Sequence, residues 1–248
     1  MKTLKMIIAS MCVLFSLNSA KAQVPDTTGR TTVIVAPVTP VEIKEEEQVG
    51  FHLGLRVQPT FSSFDVTTEN GNTVRSNFTG GIGYGGSLNY YISNYVGLHL
   101  EGMYSTLAQQ YRDSTADRRV TLSYLNFPLL ISFNTNYGKA VNLNLAFGPQ
   151  VGISTGAKVE TTETNGGVAT GEAIIRVKPM DLGVAYGAGL DFGLGEERNV
   201  HFNIGYRGVY GLVDISDNKI DVGDGQYYVL QKSRVKTHGV YLGFMFKL

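Results

Sequence analysis

The feature that most constrains this chain is alternation. Eight stretches place apolar residues at every second position, with small or polar residues between them. A strand turns successive side chains to opposite faces, so period two means a sheet with one apolar face. In the first stretch, about Gly50 to Ser62, Phe51, Leu53, Leu55, Val57 and Phe61 oppose His52, Gly54, Arg56, Gln58 and Thr60. The second, about Gly80 to Ile92, sets Ile82, Tyr84, Leu88, Tyr90 and Ile92 against Gly81, Gly83, Gly85, Ser87 and Asn89. The third, about Tyr95 to Gln109, sets Val96, Leu98, Leu100 and Tyr104 against His99, Glu101, Ser105 and Gln109. The fourth, about Val120 to Phe133, is apolar on both faces in its second half; the favoured register turns Leu125, Phe127, Leu129, Ile131 and Phe133 outward. The fifth (Val141 to Ile153), sixth (Met180 to Phe192), seventh (Val200 to Tyr210) and eighth (Gly239 to Leu248) alternate plainly.

The connections alternate too. Those after the second, fourth and sixth stretches are short: Ser93-Asn94, Asn134 to Ala140 and Gly195 to Asn199. Those after the first, third, fifth and seventh, near 63–79, 110–119, 155–178 and 214–237, are long and polar. Such a pattern predicts an all-β fold, an eight-stranded antiparallel up-and-down transmembrane β-barrel over residues 50–248. An open sheet would leave unpaired backbone groups in lipid, each costing several kcal/mol, so the first and eighth strands must close on each other. Outer-membrane barrels keep short turns in the periplasm and long loops outside, which places both termini in the periplasm. Net charge is zero, which excludes a strong nucleic-acid footprint.

The first residues read as a secretory signal over 1–22. Lys2 and Lys5 precede a short apolar run from Met6 to Leu17, and Ala20-Lys21-Ala22 supplies an A-x-A site, with cleavage before Gln23. The run is too short for a spanning helix, which needs about 20 residues. Cys12 lies within it, so the mature chain has no thiol chemistry. Residues 23–49, with Pro25, Pro37, Pro40 and the acidic Glu45-Glu46-Glu47, read as a flexible periplasmic segment.

Several runs resemble one family. Tyr124-Leu125-Asn126-Phe127-Pro128-Leu129-Leu130, Asp181 to Gly189, Gly205 to Asp214 and the terminal Gly243-Phe244-Met245-Phe246 are similar in order and spacing to strands of the PorT-type outer-membrane barrels of Bacteroidetes. The resemblance covers about residues 50–248. It implies an eight-stranded, OmpA-like barrel in the outer membrane. Outer-membrane lipid and lipopolysaccharide, and protein partners in the periplasm or at the surface, would surround it. One member of that family works in protein secretion. The resemblance carries over no catalytic residue and no cofactor.

The inward faces hold balanced charges: Arg56, Arg207 and Lys247 against Glu101, Asp181 and Asp191. Arg56 and Glu101 each lie six residues into a strand and Arg207 seven past Val200, so at about 3.3 Å per residue they reach a similar depth. An eight-stranded barrel is only wide enough for side chains to fill. These six residues therefore predict an interior ionic cluster, centred on Arg56, Glu101 and Arg207, that blocks the lumen; the alternative is a narrow gated pore. His52, His99 and His201 point inward without metal-ligand spacing and are expected to be hydrogen-bonded. Gly81-Ile82-Gly83-Tyr84-Gly85-Gly86 matches GxGxxG but precedes no helix. Its glycines are expected to make room for Tyr91, Tyr124 and Tyr241 rather than for a dinucleotide. Asp214, Asp217, Asp221 and Asp224 make the last loop acidic without an EF-hand pattern. Ser233 with His238 would be the nucleophile and base of a surface protease or lipid-modifying enzyme. The reading preferred over both pore and enzyme is a non-enzymatic barrel with a structural or partner-binding role.

Overall fold

The computed structural model describes residues 47–63, 66–67, 73–74, 79–112, 116–163, 172–218, 223, 226–230 and 233–248. The signal segment, with Ala20, Ala22 and Gln23, lies outside the described residues, as do Asp221 and Asp224 and nearly all of 23–49. The strands in chain order are β1 (Gly50–Ser63), β2 (Val66–Thr67), β3 (Thr73–Val74), β4 (Thr79–Tyr91), β5 (Val96–Arg112) and β6 (Ala116–Asn134). They continue as β7 (Val141–Glu163), β8 (Glu172–Ile174), β9 (Met180–Leu194), β10 (Val200–Gly211), β11 (Gln226–Tyr228) and β12 (Lys236–Lys247). Eight of them close into a barrel in the order β1-β12-β10-β9-β7-β6-β5-β4. The seam is antiparallel, running from His52↔Lys247 to Ser63↔Lys236. Two small pairs, β2·β3 and the parallel β8·β11, lie at the end where the long loops emerge. That end is called here the loop end, and the other the turn end.

The barrel is apolar outside and polar within. Leu55 is 66% exposed and Val57 47%, while Arg56 between them is 8% exposed. The ambiguous fourth stretch takes the favoured register, with Phe127, Leu129, Ile131 and Phe133 exposed and Leu130 and Ser132 buried. Aromatics gather near the turn end, where Phe51 meets Tyr90 and Phe192 meets Phe202, and again toward the loop end, where Tyr84 meets Tyr104. Such belts sit at the two membrane interfaces of outer-membrane barrels. The turn-end connections are tight, and the one between β9 and β10 places Gly195 (φ 78°) and Arg198 (φ 49°) in the left-handed region.

Two segments expected to be loops are in part strand. β5 and β6 run on to pair Arg112 with Asp117, which takes in 110–112 and 116–119. β7 reaches Glu163, well into 155–178. Their neighbours stop earlier, β4 at the pair Ile82↔Thr106 and β9 at Met180↔Ile153. The physical reason is that the ladder and the apolar period obey different constraints. Past the lipid the outward face meets water, so alternation lapses while backbone pairing continues. Charged cross-strand partners such as Arg119↔Glu160 then replace apolar ones.

An arginine at an outward position should therefore be penalised as a charge in lipid. Leu55→Arg is expected to lower the stability of the refolded barrel by about 2–4 kcal/mol, measured by denaturant titration in vesicles. An Arg at exposed Lys158, above the lipid, should leave it unchanged.

Candidate functional site

The candidate site is the lumen, which is closed at three levels. Nearest the turn end is an aromatic floor. Tyr137 comes from the turn between β6 and β7, is fully buried, and stacks between Tyr91 (centroids 3.9 Å apart) and His201 (4.1 Å). His52 packs edge-on against Tyr91 at 5.0 Å and Tyr137 at 5.4 Å, and Met245 completes the cluster. The turn is held in place because the Tyr137 amide donates to Asn94 O at 2.8 Å and the Arg198 guanidinium donates to Gly138 O. Gln48, 1% exposed, ties the entering chain to the same end: its amide donates to Asn94 Oδ1 at 2.9 Å and its Nε2 to Glu197 O at 3.0 Å.

The second level is ionic. Glu101 Oε1 accepts from Arg56 Nη1 at 2.6 Å and from Arg207 Nη2 at 2.9 Å, and all three side chains are buried. The Tyr241 ring lies beside both guanidiniums, 4.2 Å from Arg56 Cζ and 5.7 Å from Arg207 Cζ, adding a cation–π term. Tyr241 has room there because β9 and β10 carry glycine opposite it; a Cβ at Gly205 would lie 2.6 Å from Tyr241 Cζ. Gly97 and Gly152 face Tyr91 and Tyr124 in the same manner, whereas Gly81 and Gly85 of the GxGxxG run lie against β5 backbone. The glycines that accommodate the tyrosines are thus on other strands than expected, because each inward ring lies along the neighbouring strand, over the residue paired with it or two places away.

The six charged residues do not form one cluster. The structure brings Arg56, Glu101 and Arg207 together and leaves out Asp181, Asp191 and Lys247. Asp191 Oδ2 instead accepts from Asn142 Nδ2 at 2.8 Å and Asn144 Nδ2 at 2.7 Å. Lys247 Nζ donates to Glu47 O at 3.3 Å, at the turn end. Asp181 lies toward the loop end, above the ionic level. The reason is strand tilt. Paired residues run in one row from Arg56 through Gly85, Met103, Asn126 and Gly152 to Asp181, and this row climbs around the barrel. Arg207 pairs with Gly187, six residues further down β9 than Asp181.

The third level is an apolar lid at the loop end. Ile215, Val229, Leu230 and Val235 of the last connection pack on Leu107, Val120, Leu122 and Tyr124 of the extended strands. The polar reading of 214–237 therefore missed its purpose: four apolar residues in it fill the barrel mouth. Asp214 fastens the lid. Its Oδ1 accepts from the Ser216 amide (3.0 Å), Ser216 Oγ (2.7 Å) and the Ser233 amide (2.9 Å). Burial pushes the Asp214 carboxyl up, but those hydrogen bonds outweigh it and hold it below the usual carboxylate range. With Oδ1 so committed, Asp214 belongs to the lid's own structure.

The remaining candidates separate. His99 Nε2 and Ser132 Oγ are 3.0 Å apart and His52 Nδ1 is 3.4 Å from Gly50 O. No group of three or more metal-ligating side chains converges among the described residues. His238 turns to the outward face and bonds Tyr206 Oη, while Ser233 is buried under the lid and its Oγ has no hydrogen-bond partner among the described residues. The serine and histidine are therefore not paired. Tyr137 and Gln48, which seal the floor, went unread in the sequence; the one signal was an aromatic residue inside a turn otherwise built of Asn, Thr and Gly.

Residues 42–217 match the family model described as outer membrane protein beta-barrel domain. The chain belongs to that family. The match ends before β12, which supplies the closing seam. None of the curated proteins matches the chain. Among solved structures it is similar to neisserial surface protein A (15% identity, 82% of this chain and 100% of that one, TM-score 0.44). It is also similar to OprG of Pseudomonas aeruginosa (15%, 81% and 96%, TM-score 0.48) and to Ail of Yersinia pestis with a heparin analogue (16%, 79% and 99%, TM-score 0.38). Family membership assigns the protein to the outer membrane.

Two outcomes follow from this geometry. Glu101→Gln leaves two buried guanidiniums facing each other and is expected to cost about 3–5 kcal/mol. Arg56→Met keeps one arginine per carboxylate and should cost less; the opposite order in denaturant unfolding would contradict the shared-carboxylate geometry. For the lid, a depressed carboxyl stabilises above its unfolded pKa, about 3.9, and that contribution is lost as pH falls through the folded value. Protection factors for hydrogen exchange at Ile215 and Ser233, corrected for the intrinsic pH dependence, should fall on acidification below about pH 4, and Asp214→Asn should abolish that dependence.

Proposed function

We propose that this protein is a non-enzymatic outer-membrane barrel that works through its ends, as a structural or partner-binding element, rather than by passing solutes. The observation that carries this reading is the three-level closure of the lumen. A floor, a desolvated ion pair network and a lid would all have to yield before anything crossed. A gated pore would need one bistable element, but here removing the ionic level would still leave stacked rings below and packed aliphatics above.

The turn end is read as periplasmic and the loop end as external, because the short turns, the start of β1 and the end of β12 share one end, as in other outer-membrane barrels. On that orientation Gln48 anchors a segment that leaves the barrel on the periplasmic side. The surface offered to the exterior is the β5–β6–β7 extension with the lid. Ordered loops on a rigid scaffold are where binding is usually carried. A place in the PorT-type branch, with a link to protein secretion, is supported by the Tyr124–Leu130 and Gly205–Asp214 runs. In this reading the protein is removed from the bacterium's chemistry and contributes adhesion between components.

Single-channel recording of the refolded barrel in planar bilayers tests it. Silence is expected for the native protein and equally for Arg56→Ala and Glu101→Ala. Discrete openings in the native protein, or in either variant, would replace this reading with the pore. Crosslinking in cells from positions on the β6–β7 extension and from Gln48 should recover protein partners on opposite sides of the membrane.

A further inference from the structure

Between the ionic level and the lid the lumen keeps a cavity of about 40 Å³. One water needs about 10–15 Å³ by the same measure, so the space suits about three waters or one small solute. Its walls are partly committed. Gln150 Nε2 donates to Asn126 Oδ1 at 3.2 Å, and at the inner end Arg207 Nη2 donates to Glu101, while Arg207 Nε and Nη1 have no hydrogen-bond partner among the described residues. On the outer wall two acceptors are open as well. Asp181 is 6% exposed, and its Oδ1 has no hydrogen-bond partner among the described residues. Tyr124, 2% exposed, has a hydroxyl in the same condition.

Asp181 differs from the other buried carboxylates: it accepts from the backbone of Leu182, and its Oδ1 is left open. Glu101 has two arginines and Asp191 has two asparagine amides. A buried carboxylate without a cation is costly, by several kcal/mol in effective terms, and a cation supplied from outside recovers that cost. Gly152 pairs with Asp181, and a Cβ there would come within 3.0 Å of Asn126 Oδ1, 3.4 Å of Tyr124 Cδ1 and 3.5 Å of Asp181 Cβ, so a larger residue would crowd all three. The chamber wall offers the Asp181 carboxylate oxygen and the Tyr124 hydroxyl, two hydrogen-bond acceptors of the kind an ammonium group requires. The apolar lid above excludes water and strengthens the attraction.

We propose that this chamber is a binding site for a small solute carrying a primary ammonium group, seated on the Asp181 carboxylate with Tyr124 beside it and admitted from the loop end. The solute is limited to a few heavy atoms by the volume. The lid residues Leu230 and Val235 set how fast it enters. Arg207 at the inner end disfavours a second cation and orients any acceptor the solute carries toward the ionic level.

The test is a titration of the ¹⁵N-labelled full barrel in lipid nanodiscs with ethylammonium chloride, with sodium chloride and sodium acetate as controls. Saturable shifts are expected at Asn126, Gly152 and Asp181 with ethylammonium and with neither control. Asp181→Asn, which keeps shape and removes charge, should weaken binding about tenfold or more, and Tyr124→Phe by a smaller factor. Gly152→Val should block it while leaving the carboxylate in place. Absence of shifts in the native protein, equal shifts in Asp181→Asn, or shifts of the same residues by acetate would each overturn the proposal. Comparing the amide spectrum of Asp181→Asn with that of the native barrel separates loss of binding from loss of fold.

Discussion

Backbone closure is the constraint on which everything else in this barrel depends. In lipid every N–H and C=O must find a protein partner, and the β1–β12 seam supplies the last set. Closing eight strands also obliges them to tilt and stagger. The stagger is visible in the row that starts at Arg56 and reaches Asp181 near the loop end. Depth inside the barrel is therefore not position along a strand. It is position along a strand plus the climb accumulated from one strand to the next. The ionic level forms because that sum brings Arg56, Glu101 and Arg207 to one height on separated strands, and Asp181 stays apart for the same reason.

That geometry also explains how charge is tolerated inside. Two guanidiniums share one carboxylate oxygen and leave an excess positive charge in a desolvated setting. Tyr241 answers it with a ring face rather than a second anion, and the two glycines opposite give the ring its place. Asp191, one level below, is held by neutral amides. A tighter arrangement of equal and opposite charges would have satisfied formal balance at the cost of filling the lumen completely. Separating the carboxylates by height keeps each one's surroundings distinct.

Much of the architecture was legible in the sequence because lipid imposes a simple rule on one face. Wherever an outward residue meets acyl chains, alternation is strict, and all eight barrel strands and the register of β6 followed from it. Where lipid ends, the rule ends. The extensions of β5, β6 and β7 carry Arg119, Lys158 and Glu160 on their water-facing side, so nothing in the hydrophobic pattern distinguished them from loops. The floor was hidden for another reason. Tyr137 is a turn residue, and only the convergence of two other turns and Gln48 makes its ring a plug. The lid was hidden because Ile215, the adjacent Val229 and Leu230, and Val235 lie without a strand period in a polar segment; their common destination exists only after β5 and β6 have risen above the membrane to meet them.

The three closures differ in what could release them. Stacked rings at the floor are held by packing and by two turns, so they move only if those turns move. The ionic level is held by charge in a dry interior and has no neutral alternative. The lid is held by aliphatic contact over strands that already stand in water, fastened at its base by one carboxylate that accepts three hydrogen bonds. Release of such a lid exposes only the upper chamber and leaves the two lower seals intact. The proposed solute site needs this order of closures: an upper chamber under the lid at the loop end, with the ionic level and the aromatic floor still closed beneath it.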